Sequence, residues 1–212
     1  MTAVGTAGRA NQKLRTRNAI VQAAAELART GREVTMPEVA KAALVSEATA
    51  YRYFPYLASL LREAIEGQLP VADEALAPVA GSADPVARIA AATEFLLRHV
   101  QSRQGVVRAL IAATITRPGE PQARPGLRLG LIDSALAPLD AALDPARLAQ
   151  LKRDLAVVVS AEALFSLTDL YGLGPEEAIT SIVQTATTLT RASLGTDGFT
   201  AAPAQVIVRE QA

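Results

Sequence analysis

Residues 34–54 read VTMPEVAKAALVSEATAYRYF, and their local signals set two short helices close together. Thr35 is a good N-cap, Pro37 falls in the first turn, and Glu38 follows Thr35 by three, the capping-box spacing. A helix from there should end near Ala43. Leu44 and Val45 form a brief connector, and Ser46 can cap a second helix that runs to about Tyr53, before Pro55 permits a new start. Two helices joined by about three residues have helix-turn-helix spacing. The second is too short to stand alone, so packing must hold it. Val39, Ala40, Ala43 and Val45 can supply that packing against Ile20, Ala24 and Leu27 of a preceding helix. The periodicity places this first helix from about Asn11 to Thr30, ended by Gly31.

The outward face of the second helix would then carry Glu47, Ala48, Thr49 and Arg52. A helix entering the major groove reads bases with its N-terminal residues, and small residues such as Ala48 let the backbone approach closely. A threonine methyl or hydroxyl and an arginine fork are suitable chemistry for base edges. Tyr51, Tyr53 and Phe54 place three of the chain's eight aromatics (four Tyr, four Phe) within four residues. The two tyrosines can each donate a phenol proton to a phosphate, and Phe54 is expected in the core. The helix caps at Thr35 and Ser46 add backbone N–H groups to the same surface. Arg15, Thr16 and Arg17 either touch the DNA backbone or form an ordinary solvated face.

The whole chain has 212 residues, half of them apolar but only 4% aromatic and none Trp, which favours an all-α fold. No apolar run of about 18 residues appears, so no membrane span is expected. The N-terminus has no apolar signal core, which predicts a cytoplasmic protein. With no Cys and a single His, neither a thiolate nor a His-rich metal site can form, and no cofactor is expected. The net charge of zero hides an asymmetry. Residues 1–65 hold nine Lys/Arg against five Glu, and the remainder is acidic by the same margin. A basic head on an acidic body hints at nucleic acid at one end, and ordinary scatter accounts for it equally well. No nucleophile elbow, P-loop, dinucleotide glycine pattern or paired His/carboxylate motif occurs, so an enzyme is not expected.

Beyond the head the pattern is longer helices. A fourth runs from Pro55 toward Pro70 or Pro78, and others span Pro85 to about Ser102, Gly105–Thr116 and Leu127–Leu143, the last kinked at Pro138. TRPGEPQARPG (116–126) is a loop by composition. Asp144 and Pro145 open a long helix, apolar nearly all round, to Tyr171, where Gly172 stops it, and Pro175–Leu194 is the last. Residues 1–10 and the tail from Gly195 read as irregular. The domains are therefore a helix-turn-helix domain at 11–65, a helical ligand-binding and dimerisation domain at 66–195, and a tail at 196–212.

Residues 13–65 resemble the DNA-binding domain of the TetR family of transcriptional regulators. The likeness lies in the Ala-rich first helix ending at Gly31, the VTMPEVA start, the VSEATAYRYF segment and the LL of the fourth helix. The resemblance implies a homodimer on a double-stranded, palindromic DNA operator, a repressor released by a small, mainly apolar molecule. It points to Arg17, Thr35, Ser46, Glu47, Ala48, Thr49, Tyr51, Arg52 and Tyr53 as the DNA-binding set. The last two long helices would form the dimer seam. A pocket among the body helices would have Leu96, Val107, Leu110, Ile111, Leu136 and Phe165 as apolar walls. His99, Thr114 and Glu162 would be its polar groups, Glu162 lying either there or at the seam. Three positions depart from the family pattern. Leu44 stands at a turn usually made by Gly, Leu57 replaces a usual phosphate-contacting Lys, and Glu47 brings a negative charge toward the groove. They imply modest operator affinity and keep open a second reading, a TetR-like ligand-binding or adapter protein with weak or lost operator binding.

Overall fold

The structure, a computed structural model, describes residues 4–66, 71–116 and 126–195. Their regular structure is all helical, with no strand among the described residues. The head comprises α1 (Val4–Ala28), α2 (Met36–Ala42), α3 (Glu47–Tyr53) and α4 (Leu57–Glu66). The body comprises α5 (Ala72–Leu76), α6 (Pro85–Ser102), α7 (Gln104–Thr116), α8 (Leu127–Leu136), α9 (Pro145–Val158), α10 (Ala161–Phe165) and α11 (Pro175–Leu194). Proline sits in the first turn of α2, α6, α9 and α11, where its missing N–H has no helical partner to lose.

Three boundaries differ from those the sequence suggests. α1 begins at Val4 rather than near Asn11. Once the packed part from Ile20 onward is helical, adding turns at its N-terminus costs little, because nucleation has already occurred. The helix from Leu127 ends at Leu136 and tightens into a 3₁₀ turn, Ala137–Leu139, around Pro138. The expected single helix Asp144–Tyr171 is broken at Val159 and Ser160. There the Ser160 hydroxyl donates to the Val157 carbonyl and accepts the Ala163 N–H at 3.1 Å, capping α10. Three consecutive valines crowd the preceding turn, and a serine beside them offers the backbone an alternative to helix. α10 then widens into a π-helical turn, Ser166–Leu170, before Gly172 adopts φ +80°. Most of the loop expected at 116–126, the end of the fourth helix beyond Glu66 and the tail beyond Gly195 lie outside the described residues.

Two buried cores form. In the head, Ile20, Ala24, Val39, Ala40, Ala50, Phe54, Leu60 and Leu61 pack together, and Val106 of α7 joins them from the body. In the body, α6 and α11 pack along their length, burying Ile89, Leu96, Leu97, Ile179, Ile182 and Ala186 with Leu131, Leu136, Leu151 and Leu155. α7 bridges the two. Its Gly105 lies so close to the α1–α2 loop that a Cβ there would stand 2.0 Å from the Arg32 carbonyl oxygen.

Candidate nucleic-acid interface and ligand cavity

The turn between α2 and α3 closes in a Schellman arrangement. The Val45 N–H reaches the Ala40 carbonyl at 3.0 Å, and the Leu44 N–H reaches Lys41 at 3.2 Å. This requires a left-handed residue, and Leu44 supplies it with φ +56° while its side chain is 93% exposed. The departure from Gly is thus absorbed as backbone strain of about 1 kcal/mol, and the turn keeps its shape. α2 carries the full capping box. Glu38 accepts from the Thr35 hydroxyl at 2.8 Å and from its backbone N–H at 3.1 Å, and these bonds hold the Glu38 carboxyl below its usual range.

Ser46 caps α3, its hydroxyl 3.2 Å from the Thr49 N–H and 2.9 Å from the Thr49 hydroxyl. Ala50 and Phe54 are buried and anchor the helix, as Val39 and Ala40 anchor α2. The opposite face presents Glu47, Ala48 and Arg52 to solvent, with Thr49 half-buried among them. Tyr51 is exposed and Tyr53 half-buried, and the Arg52 guanidinium lies 5.8 Å from the Tyr53 ring. Leu57 packs on the head core. Arg17 has an intramolecular engagement that sequence spacing did not reveal. Its guanidinium pairs with Glu63 through both terminal nitrogens and lies 5.0 Å over the Phe54 ring, tying α1 to α4. A phosphate contact by Arg17 would have to compete with that pair.

A cavity of about 220 Å³ opens between α4, α6, α7, α8 and α10. Six of the nine residues expected at a pocket line it: Leu96, His99, Val107, Leu110, Ile111 and Glu162. The other three point elsewhere. Leu136 is fully buried in the body core, and the Thr114 hydroxyl donates back to the Ile111 carbonyl at 2.7 Å. Phe165 lies 3.8 Å beneath the Arg108 guanidinium, which also forms a bidentate pair with Asp169. Their position on body helices does not fix which neighbour each side chain meets. Sequence reasoning missed Arg103 and Arg128, the two cations of the lining. Arg103 was discoverable, since it follows His99 by four on the same helical face.

His99 and Arg103 are coupled. The His99 Nδ1 lies 3.1 Å from the Arg103 Nη1. A guanidinium only donates, so Nδ1 accepts and the ring is neutral with its proton on Nε2. Burial, reinforced by the Arg103 charge, lowers the His99 pKa to about 4. Across the cavity the Arg128 Nη1 stands 3.8 Å from Glu162. No cluster of metal-ligating side chains and no helix long and apolar enough to cross a membrane occur among the described residues.

Comparison with known proteins agrees with the head's geometry. Residues 20–64 match the family described as bacterial regulatory proteins, tetR family. No curated protein matches the chain. Among solved structures, a tetR-family transcriptional regulator from Streptomyces coelicolor is 23% identical, with a TM-score of 0.52 over 87% of this chain and 85% of its own. A TetR transcriptional regulator from Rhodococcus sp. RHA1 is 25% identical, with a TM-score of 0.49 over 83% of this chain and 96% of its own. The matched segment contains the α2–turn–α3 unit with its caps, its left-handed turn and its exposed outer face. Over residues 20–64 the head is therefore similar to the N-terminal domain of the tetR family of bacterial regulatory proteins.

Proposed function

We propose that the protein is a ligand-responsive, dimeric repressor, released from a palindromic operator when a small, mainly apolar molecule fills the cavity. One observation carries this reading: α3, capped by Ser46 and anchored by Ala50 and Phe54, turns Glu47, Ala48, Thr49 and Arg52 outward together. Tyr51 and Tyr53 flank that face within reach of a duplex backbone, and the caps at Thr35 and Ser46 fix its angle. Release follows from the position of α7. Val107, Leu110 and Ile111 line the cavity, while Val106, Ala109 and Leu110 pack on the head core. An occupant that fits one setting of α7 better than another shifts the balance between two placements of the head. In a dimer, two heads must meet successive major grooves about 34–36 Å apart, so a small rotation of each is sufficient.

Selection of bound sites from random duplex DNA, followed by titration of the recovered site at several salt concentrations, tests this function. Arg52→Ala and Thr49→Ala should each weaken that site by about 1–3 kcal/mol and relax preference at one position, leaving binding to unrelated DNA nearly unchanged. The adapter reading draws on Glu47, whose exposed carboxylate repels phosphate, and on the engagement of Arg17 by Glu63. Recovery of no preferred site by a folded dimer at low salt would favour it.

A further inference from the structure

The cavity's charged groups do not balance. Among the described lining residues Arg103 and Arg128 are opposed by one carboxylate, that of Glu162, while His99 is neutral because its Nδ1 accepts from Arg103. The Arg128–Glu162 separation of 3.8 Å exceeds hydrogen-bonding distance, so that pair is loose. Arg103 directs Nη1 to both His99 and Ser102, and its remaining N–H groups have no partner among the described residues. Both arginines are half-buried. A guanidinium partly removed from water with unfilled donors favours an anion, and its planar fork fits a carboxylate. The rest of the lining is apolar, Leu96, Val107, Leu110 and Leu127 among it, and the volume suits a small molecule.

We propose that the cavity selects an aliphatic carboxylate, its chain against Leu96, Val107, Leu110 and Leu127 and its head group taken by Arg103 and Arg128. An excess of one positive charge among the described lining residues suits a monoanion better than a dianion, leaves a neutral head group with less to gain, and repels an ammonium. This assignment rests on the reading of the cavity as the effector site and names the effector's class.

Calorimetric titration of the full chain with octanoate, octan-1-ol, octylamine and octyl phosphate tests it without DNA, so the readout is independent of operator binding. Octanoate should bind about tenfold more tightly than octan-1-ol, with octylamine weakest. Arg103→Gln and Arg128→Gln should each weaken octanoate by about tenfold and change octan-1-ol less than about twofold. The four-compound series on the unaltered protein stands even if a variant folds poorly. Octan-1-ol or octylamine equal to octanoate, octyl phosphate tighter than octanoate, or folded arginine variants that leave octanoate unaffected would each overturn the carboxylate assignment while leaving the cavity as a ligand site. Binding by none of the four would overturn the assignment and the effector-site reading together.

Discussion

Leu44 shows how one residue can violate a local rule and still serve the fold. Its φ of +56° is the conformation that the Schellman turn needs, and its side chain makes no compensating burial. Leu44→Gly should relieve about 1 kcal/mol of left-handed strain, partly offset by the greater freedom glycine gives the unfolded chain. The expected gain is a few tenths to about 1 kcal/mol, seen as a rise of up to about 4 °C in a thermal melt, with operator affinity unchanged. His99 provides a pH signature. The native chain holds it near a pKa of about 4, against 6.5 for an ordinary histidine. Below pH 6.5 the unfolded chain therefore takes up a proton that the folded chain refuses, and stability is lost as pH falls toward 4. Among the described residues, Arg103, Arg128 and Glu162 are the charged groups that share the cavity with His99. The urea midpoint should fall between pH 7 and pH 5, and His99→Gln should flatten that fall. A slope unchanged by the substitution would place its origin elsewhere. At this scale the caps at Thr35, Ser46 and Asp144 were legible because a cap is decided within four residues. The engagement of Arg17 by Glu63 joins residues far apart in sequence and leaves no local trace.

Among the helices, α7 is the element on which the proposed switch depends, and Gly105 is its tightest point. The Gly105 N–H bonds the Gly31 carbonyl at 3.3 Å, and a methyl there would meet the Arg32 backbone, which has no rotamer to change. Gly105→Ala should push α7 away from the α1–α2 loop, lowering stability by about 1–3 kcal/mol. It should leave cavity affinity within a few-fold while reducing the effect of the ligand on DNA binding, which paired titrations would measure. Retained coupling would show that the head and body communicate elsewhere, for instance through Arg108, which joins α7 to Asp169 of the π-helical turn. Element ends were readable wherever proline, glycine or a capping side chain marks them, as in α6 and α11. The break at Ser160 was not, since Ser160 lies within an apolar run whose period continues across it. An apolar pattern reports a buried face and is silent about whether one helix or two supply it.

For the whole molecule, the proposed dimer needs a seam between two copies of the chain. The apolar stripe of α11, with Ile179, Ile182, Ala186 and Thr190, is used inside the protomer against α6. A seam on these helices must therefore use the other side, where Thr180, Gln184, Thr185 and Thr188 are exposed. Its apolar anchors would come from Val157 at the end of α9 and from Leu170 and Tyr171 at the π-helical turn, which are 74%, 86% and 77% exposed. Exposed large apolar side chains such as these are the anchors that a contact surface of this kind requires. Leu170→Arg buries nothing new in the protomer, so its melting behaviour should change little. In an isologous seam each contact occurs twice, so the buried charge is introduced twice and its penalty doubles. Sedimentation at micromolar concentration should then show a monomer, and affinity for a two-half-site operator should fall by an order of magnitude or more while a half-site is bound as before. A variant that remains dimeric and keeps full operator affinity would move the seam off the π-helical turn, and with it the route by which Asp169 and Arg108 could relay ligand binding from one subunit to the other.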